Sequence, residues 1–321
     1  MPKVLILTYG EDLHADYVSE YFSKNKIEFL RIDTESLIDN YDILYSTEKS
    51  CYTISIGDKD YVIDNSWNIW NRRVMNPDVE KGLPKDVSNM IFEETERTWD
   101  GLLFSHKGKV INRPENHFFA NNKIDQLNYA LCNTENIVVP DTIITNNPKD
   151  VESFFKKHNG NICFKLQKGV IIKSGDDYQT IYTNKVTKKD LENINLVKSH
   201  PCQFQEYIEK NYEIRIIATD FEQIGIAIHS QESELSQVDF RRYDFDNVPY
   251  NHIELPKNIK HFCLKMIKHY GLHFGVFDFI YSANEEFVFL ELNPNGQWLW
   301  LQLKSGYDLT QIVARNIIYD N

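Results

Sequence analysis

Apolar positions recur along this chain in two rhythms, and the alternation between them lays out its elements. Lys3 to Thr8 is a continuous apolar run, Tyr17 to Lys24 has helical spacing, and Ile27 to Ile32 returns to a strand. This strand–helix–strand opening predicts half of a nucleotide-type α/β domain, yet it lacks the G-x-G-x-x-G that would give it a phosphate role. Cys51 to Ile63 alternates and turns at Gly57-Asp58, as a hairpin does. Arg72 and Arg73 follow Trp67 and Trp70, either at a surface strand end or on an edge facing an anion. Helical periodicity runs from Val87 to Phe104, and Val110 to Asn112 is a short strand.

A second unit begins at Arg113-Pro114. The segment 121–133 predicts an amphipathic helix with Ile124, Leu127 and Leu131 on its apolar face and Lys123 in its first turn. Asp150 to His158 predicts another helix. Residues 160–186 predict three short strands with turns at Lys168-Gly169 and Ser174 to Asp177. Lys165 lies within the first, flanked by apolar residues, where a lysine is costly unless it meets an anion. After His200-Pro201, Cys202 to Ile208 reads as a strand with Glu206 inside. Tyr212 to Gln231 reads as an alternating hairpin with Glu213 and Arg215 on one face. Asn258 to Tyr270 is a helix closed by Gly271, and Tyr307 to Tyr319 is the last helix.

The stretch from Gly275 to Gln302 predicts two strands joined by a turn at Ser282 to Glu285. Pairing its arms brings Asp278 beside Glu291 and Asn293, which lie two apart on one face. The neighbours of Glu291 are too apolar for a strand with a free face, so this carboxylate needs a partner. Two carboxylates and an amide oxygen form a hard donor set suited to Mg²⁺ shared with phosphates.

Composition narrows the class without changing this outline. With 321 residues, 42% hydrophobic and 26% charged, the chain supports two or three packed units of a globular protein. No apolar run approaches a membrane span, and the N-terminus reads as a strand rather than a signal peptide, so a cytoplasmic protein with no membrane partner is expected. Five cysteines without C-x-x-C spacing read as free thiols. A net charge of −12 argues against nucleic acid as a partner. There is no G-x-x-x-x-G-K-[ST], and neither H-R-D nor D-F-G of a protein kinase.

The order Lys, Lys, Q-E-Y-I, E-I-R, D, E-x-N resembles that of the ATP-grasp ligases. The segments LILTYGEDLHAD, FLRIDTE, WNRR, VINRP, IEKNYEIRI, VDFR and FLELNPNGQWLWL further resemble the maturases of microviridin-type peptides, the graspetide (omega-ester-containing peptide) ligases. The resemblance spans nearly the whole chain, and N-P-N-G-Q-W is its most specific run. It implies an α/β (α+β) ATP-grasp fold of three subdomains, opened by a pre-ATP-grasp domain over 1–112. A central lid domain would cover 113–200 and a C-terminal domain with the Mg²⁺-binding hairpin 201–321. ATP and Mg²⁺ would be the cofactors.

By the same resemblance, Lys123 and Lys165 would contact ATP phosphates, and Gln205, Glu206, Tyr207 and Ile208 would form the adenine hinge, mostly through backbone atoms. Glu213 would sit near the ribose or the reacting groups, and Asp278, Glu291 and Asn293 would bind Mg²⁺. Arg215 and Arg241 would stabilise phosphoryl or acyl-phosphate charge, with Asp239 as a base. The 213–230 hairpin and the adjacent helix would receive the leader of a ribosomally synthesised precursor peptide, whose core supplies Asp/Glu and Thr/Ser or Lys. A homodimer is a further implication. Two departures stand out: only Gly169 and Gly175 follow Lys165 where many relatives have a glycine-rich lid, and Gln302 stands where a Glu is common.

The implied reaction activates Asp or Glu carboxylates as acyl phosphates and joins them to hydroxyls as esters or to amines as amides. A ligase acting on a small molecule or a protein tail would use the same metal and lysine residues. A nucleotide- or peptide-binding module without chemistry is the third reading, disfavoured by the intact set Lys123, Lys165, Asp278, Glu291 and Asn293.

Overall fold

The computed structural model describes residues 3–133, 137–169, 171–174 and 177–319. The N-terminal part contains β1 (Lys3–Thr8), α1 (Leu13–Lys24), β2 (Phe29–Asp33), α2 (Leu37–Asn40), β3 (Asp42–Ser46), β4 (Cys51–Ile56), β5 (Lys59–Ile63), β6 (Trp67–Asn71), α3 (Lys85–Ser105) and β7 (Val110–Ile111). The apolar run of β1 follows from its place: it is flanked in parallel by β2 and β6 in the sheet β2-β1-β6-β7, and Val4 to Leu7 are fully buried. The hairpin expected at Gly57 is present as β4–β5, with Gly57 at φ +57°, and β3 completes a three-stranded sheet.

The central part contains α4 (Pro114–Ala120), α5 (Lys123–Cys132), β8 (Thr142–Thr145), α6 (Pro148–Lys157), β9 (Ile162–Lys165), β10 (Ile171–Ser174), β11 (Asp177–Thr180) and β12 (Asn184–Lys185). Helix α5 corrects the expected apolar face. Ile124 and Leu131 are exposed, and the buried residues are Gln126, Leu127 and Ala130. Gln126 is buried because its amide is fully used: it donates to Ala120 O and Leu292 O and accepts from Leu292 N. β10 and β11 pair antiparallel, while the expected turn through Gly175 and Asp176 lies outside the described residues.

The C-terminal part contains β13 (Cys202–Glu206), β14 (Lys210–Thr219), β15 (Gln223–Ile228), β16 (Tyr250–Ile253), α7 (Lys257–His269), β17 (Phe274–Ser282), β18 (Phe287–Asn293), α8 (Leu299–Ser305) and α9 (Leu309–Ile318). β13 is hydrogen-bonded between β8 and β9, in the sheet β12-β9-β13-β8. A boundary at residue 200 therefore cuts off a strand that belongs to the central sheet. The other strands form the sheet β16-β15-β14-β17-β18.

The stretch from Gly275 to Gln302 also needs correction at its end. β18 stops at Asn293, and Leu299 to Ser305 is a helix rather than a continued strand. Pro294-Asn295-Gly296 breaks the strand, and Gly306 at φ +72° closes the following helix. The 213–230 hairpin, expected to receive a leader peptide, consists of β14 and β15 inside the five-stranded sheet. Both strands are paired on both edges and largely buried, which leaves them no free edge for a peptide to add to.

Two apolar cores flank this sheet. On one face, Phe262 of α7 packs against Phe277, Phe279 and Phe289, each ring contributing about 1.5–3 kcal/mol of burial. The other core is shared between distant parts of the chain. Val4, Val18, Phe22 and Trp70 pack with Trp298, Leu301, Val313 and Ile317, so the N-terminal sheet is welded to α8 and α9. Among the described residues, no helix is long and apolar enough to cross a membrane.

Candidate nucleotide and metal site

Strand register builds the floor of the site. Arg215 on β14 lies opposite Asp278 on β17, and Asp278 lies opposite Glu291 on β18. A bulge follows immediately, since Phe279 pairs with Phe289 and Leu290 is left over. The three side chains form a row. Arg215 Nη1 donates to Asp278 Oδ1 and Oδ2 at 2.7 and 3.0 Å, and Lys123 Nζ lies 2.9 Å from Glu291 Oε2. Asn293 Nδ2 bridges the two carboxylates at 3.0 Å to each. The Gln126 amide, which locks α5 onto Leu292, fixes Lys123 over this row.

Two adjacent carboxylates, Asp278 buried and Glu291 half-buried, cannot have the same acidity. Burial and the neighbouring Glu291 raise Asp278 against the opposing pull of Arg215. Burial would raise Glu291 as well, but Lys123 and the Asn293 amide outweigh it and hold that carboxyl well below the usual range. Among the described residues, no three His, Cys, Asp or Glu side chains gather into a metal site by themselves. The donor set nevertheless fits Mg²⁺, which takes one or two carboxylates and completes its shell with water and phosphate oxygens. Turning over the Asn293 amide presents its oxygen alongside Asp278 and Glu291.

Every residue expected to hold nucleotide or metal lines one cavity of about 260 Å³, with Asp239 and Arg241. Lys165 Nζ donates to Gln205 Oε1 at 2.7 Å, and Gln205 Nε2 is held by Thr142 Oγ1 at 2.9 Å. The N–H groups of Glu206 and Tyr207 are already bonded to Asp141 O and Asn161 O, both at 2.9 Å. This narrows the expected backbone contacts of the 205–208 turn to its other polar atoms. Lys185 Nζ sits 3.8 Å from the centre of the Tyr207 ring. Glu213 is buried against Lys210 and Ser230, and burial pushes its carboxyl up despite Lys210.

Arg215 lines a neighbouring cavity of about 310 Å³ together with Arg73 and Arg241, beside Asp278 and Glu291. A wider cleft of about 1120 Å³ opens from Lys123 and Asn293 toward α3, α4 and β6. All three spaces therefore meet at Asn293, beside the carboxylate row.

Two expectations need correction. Asp239 is not placed as a free base: Oδ1 accepts from Arg241 N at 3.0 Å and Nε at 2.8 Å, and Oδ2 from Thr183 N at 2.8 Å and Arg241 Nη2 at 2.5 Å. Burial would raise this carboxyl, but Arg241 and the two backbone donors outweigh it, which leaves Asp239 a weak proton acceptor that orients Arg241. Arg72 is neither a surface arginine nor an open anion contact. It is 2% exposed and faces Asp12 at 3.3 Å, while Arg73 lines both larger cavities.

The sequence pattern missed Gln126, Lys210 and the carbonyl of Gln297, which accepts Arg215 Nη2 at 3.0 Å and Nε at 3.2 Å. Lys210, three residues before Glu213, carried the one usable signal. A glutamine and a carbonyl carry none.

Comparison with known proteins agrees with this geometry. Residues 3–117 match the MvdD pre-ATP grasp domain, and residues 120–317 match the RimK-like ATP-grasp domain. Among solved structures, a Chryseobacterium gregarium RiPP-associated ATP-grasp ligase in complex with ADP and a leader and core peptide is 26% identical. Its TM-score is 0.89, over 99% of this chain and 96% of that one. The macrocyclase MdnC from Microcystis aeruginosa, bound with precursor peptide MdnA, is 25% identical with a TM-score of 0.85, over 98% of this chain and 99% of that one. MdnB from the same organism is 26% identical with a TM-score of 0.78, over the full length of both chains. No curated protein matches the chain.

Proposed function

The chain belongs to the RimK-like ATP-grasp family, preceded by an MvdD pre-ATP-grasp domain, and from that premise we propose that it cross-links side chains of a ribosomally made precursor peptide at the expense of ATP. The observation that carries this reading is the meeting of the 260 Å³ cavity, with its lysines and carboxylates, and the 1120 Å³ cleft, which has room for a peptide segment. Relatives of similar length hold ADP and precursor peptides.

In the first step a carboxylate oxygen of a core Asp or Glu bonds to the γ-phosphorus, and ADP departs with the electrons of the broken P–O bond. In the second, a Thr or Ser hydroxyl, or a Lys amine, adds to the acyl carbon. The bond from the acyl carbon to the phosphate oxygen breaks, and the departing phosphate takes up the proton of the nucleophile. Lys123 and Lys165 are the groups for the ATP phosphates, and the 205–208 turn faces the base. Arg215 and Arg241 face the oxygens on which charge accumulates. Mg²⁺ held by Asp278, Glu291 and Asn293 would supply Lewis-acid neutralisation of the phosphates. A cytoplasmic location belongs to the same proposal, since ATP is consumed and all five cysteines are free thiols.

Co-expression with small open reading frames encoded beside the gene tests the reading. Mass spectrometry should find one water lost per bond formed, and hydroxylamine sensitivity separates esters from amides. A purified enzyme that leaves every such peptide unchanged with ATP and Mg²⁺, yet releases ADP with free amino acids, would mark a small-molecule ligase instead.

A further inference from the structure

We propose that His14, Arg72 and Asn112 of the N-terminal sheet form a brace that positions the catalytic segment 293–299, and through it the Arg215 guanidinium. This rests on the reading of the cavity as a ligase site. The segment leaves β18 at Asn293 and enters α8 at Leu299. Its inner side serves the site, since Asn293 bridges Asp278 and Glu291 and Gln297 O receives two N–H groups of Arg215.

Its outer side is gripped at three places by residues about two hundred or more positions earlier. Asn112 Nδ2 donates to Pro294 O at 2.7 Å, while its Oδ1 accepts from His273 N at 2.9 Å. Arg72 Nη1 donates to Asn295 Oδ1 at 2.5 Å, and Asn295 Nδ2 returns a bond to Arg72 O. His14 Nε2 accepts from the backbone N–H groups of Trp298 and Leu299, both at 3.2 Å. It therefore caps α8 from another part of the chain. Accepting at Nε2 places the imidazole proton on Nδ1, which faces Asp12 Oδ1 at 3.3 Å. Asp12 in turn lies 3.3 Å from Arg72 Nε, so two of the three grips share one carboxylate.

Burial shows that these contacts are built for rigidity. His14, Arg72, Asn112 and Asp12 are all buried, and the His14 ring meets buried Trp298 edge-on at 5.1 Å between centroids. None of these grips is needed to hold the shared apolar core, which already joins α1 and β6 to α8 and α9. What they add is a fixed path for the seven residues 293–299, whose carbonyl and amide groups set the aim of Arg215 and of the Asn293 side chain. A misplacement of about 1 Å at such a group costs roughly 10²-fold in rate. The brace also gives the N-terminal domain, none of whose residues line the 260 Å³ cavity, a role in the chemistry.

The test combines kinetics with a readout independent of substrate. The Arg215 Nε–H resonance, assigned by its disappearance in Arg215→Lys, reports on the bond to Gln297 O through its exchange with solvent. In His14→Leu and Arg72→Met this exchange should quicken about 10-fold or more. With a processed precursor, kcat for ADP formation should fall roughly 10- to 100-fold while KM for ATP stays within about 3-fold. His14→Gln, whose amide oxygen replaces the Nε2 acceptor, should restore most of both. If His14→Leu does not fold, His14→Asn, whose oxygen stops short at the Nδ1 position, replaces it. Unchanged Arg215 exchange in the folded variants overturns the brace. Normal brace behaviour by this resonance with no peptide processed by the unsubstituted enzyme would instead overturn the substrate reading.

Discussion

Arg215 and Asp278 face each other across neighbouring strands, both largely buried, with one guanidinium nitrogen bonded to both carboxylate oxygens. The pair anchors one end of the row that Glu291 and Lys123 continue. Removing one member acts on stability and on chemistry. Asp278→Asn leaves Arg215 facing a neutral amide but also removes a carboxylate that burial and Glu291 disfavour, so stability in a denaturant titration should fall by less than the roughly 3 kcal/mol of a broken buried pair. Rates of ADP formation should fall about 10²- to 10³-fold for Asp278→Asn and for Glu291→Gln, with saturating Mg²⁺ shifted to higher concentration. A fully active Asp278→Asn would remove the metal assignment.

Lys165 separates binding from chemistry more cleanly than Lys123. Its ammonium is bonded to the neutral oxygen of Gln205, so its loss strands no carboxylate. Lys165→Met should raise KM for ATP about 10- to 100-fold, as expected for one charge-assisted bond, with little change in melting temperature. Lys123→Met should show the same kinetic loss together with destabilisation, because Glu291 is then left without its cation. Isothermal titration with a non-hydrolysable ATP analogue and a thermal melt distinguish the two.

Much of this arrangement was legible in the sequence because strand arithmetic is rigid. Residues two apart share a face, and a hairpin must bring its arms together, which was enough to unite Asp278, Glu291 and Asn293. The same arithmetic overran at Trp298 to Gln302, where apolar residues in a short run suit a strand and a buried helix alike. Leu127 was placed correctly on α5, but Ile124 and Leu131 were not, because a buried glutamine displaced them from the packed face. Such polar locks are set by backbone groups that arrive from elsewhere in the chain. Gln126 meets Leu292, and Arg72 meets Asn295, and neither pairing leaves a trace in local pattern.

Asp239→Asn tests the correction to the base assignment. Both oxygens of Asp239 are occupied by donors, and Arg241 depends on them for its orientation. The substitution should lower kcat by about 10-fold through a loosened Arg241, rather than the 10²- to 10⁴-fold of a lost general base. The acid limb of the pH–rate profile should remain in place. Disappearance of that limb in Asp239→Asn would restore the base role.

Asp12 links acid stability to the brace. Burial would raise its carboxyl, but the hydrogen bond with His14 and the charge of Arg72 outweigh it, so the folded-state value lies well below the ordinary one. A depressed carboxyl binds its proton more tightly in the unfolded chain. The stability it lends is therefore complete above the ordinary value near 3.8 and is lost as pH falls toward the folded value. Urea midpoints of the unsubstituted protein should drop steeply below about pH 4. Asp12→Asn should be less stable near neutrality by on the order of 3 kcal/mol and show a shallower acid slope. Equal slopes for the two proteins would mean that Asp12 carries no linked proton.

Gly296 is the tightest point of the catalytic segment. A Cβ there would lie 2.5 Å from Val276 Cβ and 2.8 Å from its Cγ2, and 3.3 Å from Arg215 Nη2. Val276 sits on β17 in the middle of the sheet and is fully buried, so it cannot move aside. The segment itself must lift, and Gln297 O moves with it away from Arg215. Gly296→Ala should cost roughly 1–3 kcal/mol of stability from overpacking and about 10²-fold in the rate of ADP formation from the displaced guanidinium. Val276→Ala in the same chain removes the Cγ2 clash but leaves the Cβ contact, so it should recover stability only in part. Activity returning fully in that double variant would show that the N-P-N-G run requires its glycine only for room against the Val276 methyl, and not for the close backbone approach seen here.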